Sequence, residues 1–433
     1  ALDKDAKFLA FKVNTIANLG AYLGSMTPHS MTNNLGGLAG VYTTPYIYTS
    51  VSGVFTNTNW VGPYRGAGRP EASLAIEKAI DRAANELGID RVEIRKRNLI
   101  PVKSMPYQTG LIFNYDSGDF PNILNKAAEF ANYDGFETRR NQAAQRGKLR
   151  GIGIAFAIEQ SAAPIEEFAE IRFDPSGHCT IVMGTLAQGQ GHEITFKQLI
   201  NEMLGIELKK ITLLQGDTDI VAHGRGTFGS RSAGNGGGAL RLASDRIIER
   251  GKKIAGHLLE AAETDIKFQN GRFLIDGTDQ SVSIEEVAKT AYSPLTLPLE
   301  IEPTLIASAA FKPSAPTFPN GCHFCEVEVD PETGVTEIQT YIVVDDVGTI
   351  INPMLLEGQI HGGISQGLGQ AICEDLNYDP ENGQLISASF LDYCMPRADN
   401  MCSIKVIPAG VPSPTNPLGI KGAGEAGCVG ALP

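Results

Sequence analysis

Glycine is concentrated in five short clusters, and this clustering constrains the chain more than any other feature of its sequence. The 433 residues include 48 glycines, about 11% against a usual value near 7%. The clusters span 64–70, 188–193, 224–238, 358–367 and 421–427. Most of them lie immediately before or at the start of a helical pattern. A glycine loop that leads into a helix presents unpaired backbone N–H groups and lets a ligand approach the main chain.

The other residues of the clusters indicate a large polar ligand. Glycine alternates with donor and acceptor side chains, most clearly in Gln188-Gly189-Gln190-Gly191-His192. None of the clusters has the Walker A spacing, and none is a dinucleotide-binding fingerprint after a strand. Each cluster taken singly is also compatible with an ordinary connecting turn. Together they predict one phosphate-bearing cofactor held by several separated loops.

Composition excludes several classes of partner. Asp and Glu number 49 against 36 Lys and Arg, for a net charge of −13, and no basic cluster is present to displace the counterions of a nucleic acid or an anionic membrane. No apolar run approaches the roughly 18–20 residues that span a bilayer. The seven cysteines are odd in number and irregularly spaced, which predicts a reducing, cytoplasmic location rather than a disulfide framework.

The hydrophobic patterns predict an α+β fold of mixed sheets packed with helices. The clearest helix runs from Pro70 to Leu87, with proline in its first turn and Gly88 after its end. Residues 6–60 are predicted as sheet and loop, 120–144 as helical and 326–345 as a hairpin. We predict two domains, 1–148 and 149–433, the second with two α/β subdomains joined by a proline-rich surface connection over 292–320.

Several motifs, in order, resemble one family. They are Ala1-Leu2-Asp3-Lys4-Asp5-Ala6-Lys7-Phe8-Leu9-Ala10, Ala17-Asn18-Leu19-Gly20-Ala21-Tyr22, Tyr64-Arg65-Gly66-Ala67-Gly68-Arg69-Pro70-Glu71-Ala72, Gly189-Gln190-Gly191-His192-Glu193, Gly226-Thr227-Phe228-Gly229-Ser230-Arg231-Ser232, Asp345-Asp346-Val347-Gly348 with Ile351-Asn352-Pro353, Gly358-Gln359 with His361-Gly362-Gly363, and Gly422-Ala423-Gly424-Glu425-Ala426-Gly427. This set resembles the molybdopterin-binding large subunit of the xanthine dehydrogenase and carbon monoxide dehydrogenase type molybdenum hydroxylases, and it covers nearly the whole chain.

The resemblance implies an oxidoreductase that hydroxylates an aldehyde or N-heterocycle with water as the oxygen source. It implies that Glu425 is the general base and that Arg65 is a cation that orients the substrate. The alternatives are that Glu425 is only a solvated charge on a loop and that Arg65 is only a surface arginine. No side chain is expected to bind metal, because the cofactor holds the molybdenum. The resemblance assigns pterin dinucleotide contacts to Gln188, Gly189, Gln190, Gly191, His192, Thr227, Phe228, Gly229, Ser230, Arg231, Ser232, Gln359, Gln366, Gly422 and Gly424, although packing is an equal alternative for Gln359 and Gln366.

Two departures from the family pattern affect these expectations. Copper-containing carbon monoxide dehydrogenases carry cysteine directly after the arginine, where this chain has Gly66, so copper-dependent CO oxidation is disfavoured. Family large subunits also extend several hundred residues before the segment that opens this chain, which predicts a split subunit or a truncated product. We therefore expect the isolated chain to contain no molybdenum.

The resemblance also implies partners and leaves rival functions open. The cofactor of the complete enzyme is expected to be molybdopterin cytosine dinucleotide, with electrons passing to iron–sulfur and FAD subunits in an oligomer. The chain carries no iron–sulfur cysteine pattern or flavin motif of its own. One rival function is a carbon monoxide dehydrogenase large chain with another copper arrangement. The other rival is a catalytically silent binding or scaffold chain.

Overall fold

The computed structural model of the chain describes residues 1–293 and 295–433. Pro294, which falls in the predicted proline-rich connection, lies outside the described residues. The elements of the first third, in chain order, are β1 Ala10–Gly20, α1 Thr27–Gly37, β2 Tyr46–Phe55, α2 Arg69–Leu87, α3 Arg91–Asn98, β3 Tyr107–Gln108, β4 Asn114–Tyr115, α4 Phe120–Phe130 and α5 Phe136–Gln145. Strands β1 and β2 pair in parallel, with Ala10 opposite Tyr46.

The remaining elements alternate between strands and helices. They are β5 Leu149–Ile158, β6 Glu167–Phe173, β7 Cys179–Met183, α6 His192–Leu204, β8 Ile211–Leu214, α7 Gly237–Leu259, β9 Ile266–Gln269, β10 Arg272–Ile275, β11 Ser281–Ser283, α8 Ile284–Ala291, β12 Ile306–Phe311, β13 Asn320–Val329, β14 Thr336–Asp346, α9 Pro353–Ile372, β15 Ile404–Pro408 and α10 Ala426–Ala431. A π-helical turn, Ser232–Gly236, leads into α7.

Two four-stranded mixed sheets organise the described residues. One has the order β12-β6-β7-β8 and the other β15-β14-β13-β5. In each sheet the pair containing the outermost strand β8 or β15 is parallel and the other pairs are antiparallel. The predicted α+β class, with mixed sheets packed with helices, is therefore confirmed, and β13 and β14 form the predicted hairpin.

The second sheet is covered on both faces because its side chains alternate. Ile342 and Val344 of β14 enter a core with residues of α2 and α4. Their neighbours Tyr341 and Val343 pack against Ile360, Ile364 and Leu368 of α9 on the opposite face. Successive strand residues point to opposite faces, so one apolar run supports helices on both sides. The first sheet instead forms its own core with α6, α7 and α8.

Three local predictions need correction. The segment over 6–60 contains the helix α1 in addition to sheet and loop. The helical run predicted over 120–144 is broken between α4 and α5, where Asn132 adopts a left-handed φ of 46°. The connection over 292–320 is not simply a surface crossing, because it contains β12, an edge strand of the first sheet, whose Ala307 and Ala309 are buried in the core of that sheet.

Candidate cofactor site and catalytic carboxylate

All five glycine clusters contribute to one cavity of about 470 Å³. The clusters are up to several hundred residues apart in sequence, so only the tertiary fold brings them together. The predicted site residues that line the cavity are Arg65, Gln188, Gly189, Gln190, His192, Thr227, Phe228, Ser230, Ser232, Gln359, Gly422, Gly424 and Glu425. The structure therefore places most of the predicted site in a single space.

Several helices begin at the wall of this cavity. The loop before α6, the turn that leads into α7, the segment before α9 and the loop before α10 all contribute lining residues. The first N–H groups of a helix have no partner within the helix, and the helix dipole places partial positive charge there. Converging helix starts favour an anionic ligand such as a diphosphate.

The glutamine loop offers two amides to the cavity. The backbone N–H of Gln188 donates to Oε1 of Gln190 at 2.5 Å, and Nε2 of Gln190 donates to Oε1 of Gln188 at 3.2 Å. Gln188 is exposed to solvent at the cavity wall and Gln190 is half-buried there. His192 is instead buried and packs on Phe196, and burial lowers its pKa. A neutral His192 therefore supports the loop from below its surface. The side chains of Gln188 and Gln190 line the cavity, where a ligand can meet them.

The third cluster combines hydroxyl groups with a buried cation. Thr227 and Ser232 pair through their hydroxyls at 2.9 Å. Arg231 does not line the cavity, because its guanidinium is paired with Glu167 and donates to the carbonyl oxygens of Gly226 and Glu166 at 2.9 and 2.8 Å. Arg231 therefore has a structural role, because it holds the 224–238 loop to Glu166 and Glu167. The neighbouring Gly229 and, before α6, Gly191 also lie outside the lining.

Arg65 connects two of the cavity walls. Its Nε donates to the carbonyl oxygen of Gly424 at 2.6 Å and its Nη2 to that of Gln359 at 3.0 Å. Gln366 does not line the cavity, but its side chain donates to the Arg65 carbonyl at 3.2 Å. Arg65 is therefore half-buried and fixes the loop before α10 against α9.

The carboxylate of Glu425 lies on the cavity wall directly before α10. Its Oε2 is 3.8 Å from Nη1 of Arg69, and its side chain is only 16% exposed. The loop that carries it fits tightly, since a Cβ added at Gly422 would collide with the carbonyl oxygen of Ser230. Glycine at position 422 therefore lets two cluster backbones meet behind the carboxylate.

Sequence reasoning missed the residues that support this carboxylate. Arg69, His29 and Glu159 surround it, and the buried Lys421 bonds Asp346 at 2.6 Å just before the loop. The turn from Thr349 to Asn352 also lines the cavity. Part of this turn and Asp346 were within motifs that marked the family resemblance, but nothing in the local sequence separates supporting residues from their neighbours.

The described part of the chain shows no group of three or more His, Cys, Asp or Glu side chains that suits a metal ion. None of its helices is both long and apolar enough to cross a membrane. A glycine-lined cavity with converging helix starts, two glutamine side chains and a shielded carboxylate defines a site for a large anionic cofactor beside a candidate general base.

Comparison with known proteins identifies the family. Two family models, each described as a molybdopterin cofactor-binding domain, match residues 1–99 and 126–402. The chain is 35% identical to the carbon monoxide dehydrogenase large chain of Afipia carboxidovorans and 33% identical to the 6-hydroxypseudooxynicotine dehydrogenase complex subunit gamma of Paenarthrobacter nicotinovorans, with all of this chain covered and 56% and 55% of the relatives. The structure of quinoline 2-oxidoreductase from Pseudomonas putida 86 superposes with a TM-score of 0.94 at 34% identity, over 100% of this chain and 57% of that one.

The chain belongs to the molybdenum hydroxylase family. The family resemblance expected from the sequence is thus confirmed. The chain spans a little over half the length of these relatives.

Proposed function

We propose that the chain is part of the catalytic molybdenum subunit of an oxidoreductase that hydroxylates an N-heterocycle or an aldehyde. In the overall reaction a substrate C–H bond breaks and a C–O bond to an oxygen from water forms. Two electrons leave for partner subunits and two protons are released. The observation that carries the proposal is the shielded Glu425 carboxylate on the wall of the cavity formed by all five glycine clusters. Glu425 accepts the proton that water loses as its oxygen is transferred.

The residues of the cavity fit a pterin dinucleotide. The backbone N–H groups at the starts of α6 and of the turn before α7, with the hydroxyls of Thr227 and Ser232, suit a diphosphate. The amides of Gln188 and Gln190 suit the nitrogen and oxygen atoms of the rings. The bound molybdenum cofactor supplies the two-electron redox chemistry. We propose the cytosine dinucleotide form, and that the chain alone does not retain it, because it spans 56% of a relative's length and its amide loop is solvent-exposed.

Arg65 has a positioning role in this proposal. Its bonds to the Gly424 and Gln359 carbonyls hold the Glu425 loop at the cavity wall. The same guanidinium lines the cavity, where it orients substrate or stabilises developing negative charge.

The geometry around Gly66 supports an organic substrate over CO. Gly66 has a φ of +93°, and an added Cβ would lie 2.6 Å from Cγ of Pro70 and 3.0 Å from Sγ of Cys428. A cysteine at this position would be strained. The names of two relatives, 6-hydroxypseudooxynicotine dehydrogenase and quinoline 2-oxidoreductase, favour an N-heterocycle. Carbon monoxide oxidation is the second candidate because of the 35% identity to a carbon monoxide dehydrogenase large chain.

The proposed assembly includes iron–sulfur and FAD subunits that take the electrons, together with the remainder of the molybdenum subunit. All seven cysteines of this chain are free thiols in the described structure, which supports a reducing, cytoplasmic location. The division into domains at 148/149 stays a prediction. One hydrophobic core draws on both sides of it, with Phe120 and Phe156 among its members.

The test is Glu425→Gln in the complete enzyme, assayed with a panel of aldehydes, N-heterocycles and CO. We expect turnover to fall by several orders of magnitude while molybdenum content is unchanged, because the amide cannot accept a proton. Glu166→Gln, an exposed glutamate on the neighbouring segment, is the control and should keep full activity. Survival of activity in Glu425→Gln would show that the base is assigned wrongly. CO oxidation that is lost on copper removal would favour the second candidate. A wild-type complex inactive on every substrate would favour the silent scaffold.

A further inference from the structure

A second carboxyl group, that of Glu159, neighbours Glu425 but does not line the cavity. Glu159 directly follows β5 and is 0% exposed. Its backbone N–H donates to the Pro319 carbonyl at 3.0 Å, which fixes the residue in place. Neither of its carboxylate oxygens has a hydrogen-bond partner among the described residues, and the same holds for Oε2 of Glu425. Buried polar atoms are almost always paired, so three unpaired acceptor atoms in one place require a donor.

The two carboxyl groups interact directly. Burial first, and then the adjacent charge of Glu425, raise the pKa of Glu159 well above its ordinary value. The Glu425 side chain and the Ser230 hydroxyl are both polar neighbours of Glu159, but within the described part of the chain the Ser230 hydroxyl is also without a hydrogen-bond partner. Two neighbouring ionised carboxylates repel each other in a buried environment, whereas one proton shared between them removes that repulsion.

The surrounding charges fit a pair with a single negative charge. From α2, Nη1 of Arg69 lies 3.8 Å from Oε2 of Glu425. From α1, His29 lies near Arg69 and Glu425, and burial lowers its pKa. From α10, burial raises the pKa of the Cys428 thiol, so His29 and Cys428 are neutral near pH 7. Arg65 is the second cation near the pair, but its guanidinium is engaged with two carbonyl oxygens.

We propose that Glu159 and Glu425 form one carboxyl pair that holds a single shared proton, with neutral Glu159 donating to the Glu425 carboxylate and positioning it. Glu159 is a positioning residue, because it does not reach the cavity. Its hydrogen bond orients Glu425 as an acceptor. This inference rests on the proposed role of Glu425 as the base.

The first test measures kcat/KM against pH for the complete enzyme carrying Glu159→Leu or Glu159→Gln. The leucine variant loses the donor, so the anionic form of Glu425 is disfavoured and the acidic limb should move up by about one to two pH units. The glutamine variant keeps an N–H donor and should restore the limb to within about half a unit. Glu166→Gln, the exposed control, should shift nothing. A uniform loss of activity without a shift, or an equal shift in both Glu159 variants, would overturn the proposal.

The second test needs no turnover. Infrared difference spectra between wild type and Glu159→Gln at pH 7 should show loss of one protonated-carboxyl C=O band that is sensitive to deuterium. Absence of that difference would contradict the shared proton even if the leucine variant fails to fold. The proposed function fails separately, if Glu425→Gln remains active. If Glu425→Gln is inactive while the Glu159 variants are normal in both tests, only the carboxyl pair is refuted.

Discussion

Replacing Lys421 with methionine should destabilise the chain through a single buried ion pair. Lys421 and Asp346 both have side chains that are 0% exposed, with Nζ 2.6 Å from Oδ2. Nζ also donates to the Ser117 carbonyl at 3.1 Å. Methionine has similar length but no donor, so the Asp346 charge stays buried without its cation and the carbonyl loses a partner.

The expected loss of free energy of unfolding depends on the hydrogen bonds that Asp346 retains in the variant. Removing one partner of a buried pair costs about 3–5 kcal/mol. Asp346 still accepts from the backbone N–H groups of Gly348 and Val411 and from Nδ2 of Asn320. These three donors place the expected loss near the lower end, about 3 kcal/mol.

The assay is urea denaturation of the chain, with the free energy of unfolding extrapolated to water and an unchanged m-value. Lys197→Met is the matched control, because its partner Glu193 is 66% exposed and such helix pairs contribute only about 0.5 kcal/mol. The cycle completed with Asp346→Asn should give a coupling energy above about 1 kcal/mol. A loss below 1 kcal/mol for Lys421→Met, or no coupling, would refute this reasoning.

Three further predictions concern the same region. Arg65→Lys keeps at most one of two carbonyl bonds, so kcat/KM of the complete enzyme should fall about 10- to 100-fold; an unchanged value contradicts the positioning role. Gly66→Cys should lower the free energy of unfolding by about 2 kcal/mol, because a left-handed φ disfavours a side chain; a neutral effect in denaturation contradicts the strain. Burial and then the Asp346 charge raise the pKa of Asp345 to about 7. Between about pH 4, where an unfolded Asp345 titrates, and pH 7, the folded state holds a proton on Asp345 that the unfolded state has lost. The free energy of unfolding therefore falls as pH rises through this window. Asp345→Asn should flatten that slope by up to about 1.4 kcal/mol per pH unit, and an unchanged slope in pH-dependent denaturation would contradict it.

The sequence predicted the elements whose signals are local. The helix α2 was predicted because apolar residues such as Ala72, Ile76 and Ile80 recur at helical spacing, and these three are buried in the structure. The helix α1 was not, because Thr27–Gly37 is rich in Thr, Asn and Gly, which are weak helix formers, and has no apolar period. The break after α4 depends on one residue with a left-handed backbone, Asn132. Nothing in the sequence indicated it, because the surrounding residues have a charged, helical pattern.

The candidate site divides in the same way. Each glycine loop, including the one that carries Glu425, is a short continuous stretch of sequence, so its binding chemistry could be predicted from the sequence alone. The family resemblance assigned Arg231 to the pterin dinucleotide, but Glu167, 64 residues earlier, pairs with it in the fold. Glu159 carries no local signal, and the motif that contains Arg69 does not reveal its role, since the proximity of both residues to Glu425 arises from contacts over hundreds of residues. Burial and long-range pairing decide these roles, and neither is encoded within a short motif.

The most direct test of the central claim is the molybdenum and nucleotide content of the complete protein. We expect about one molybdenum and one cytidine nucleotide per molybdenum subunit in the wild type. Gly422→Ala should lose both, because the added Cβ displaces the loop from Ser230. Gly358→Ala, where a Cβ meets nothing within 4 Å, should keep both. Absence of molybdenum from the wild type, or full retention in a folded Gly422→Ala protein, would contradict a single cofactor site built from the five glycine clusters.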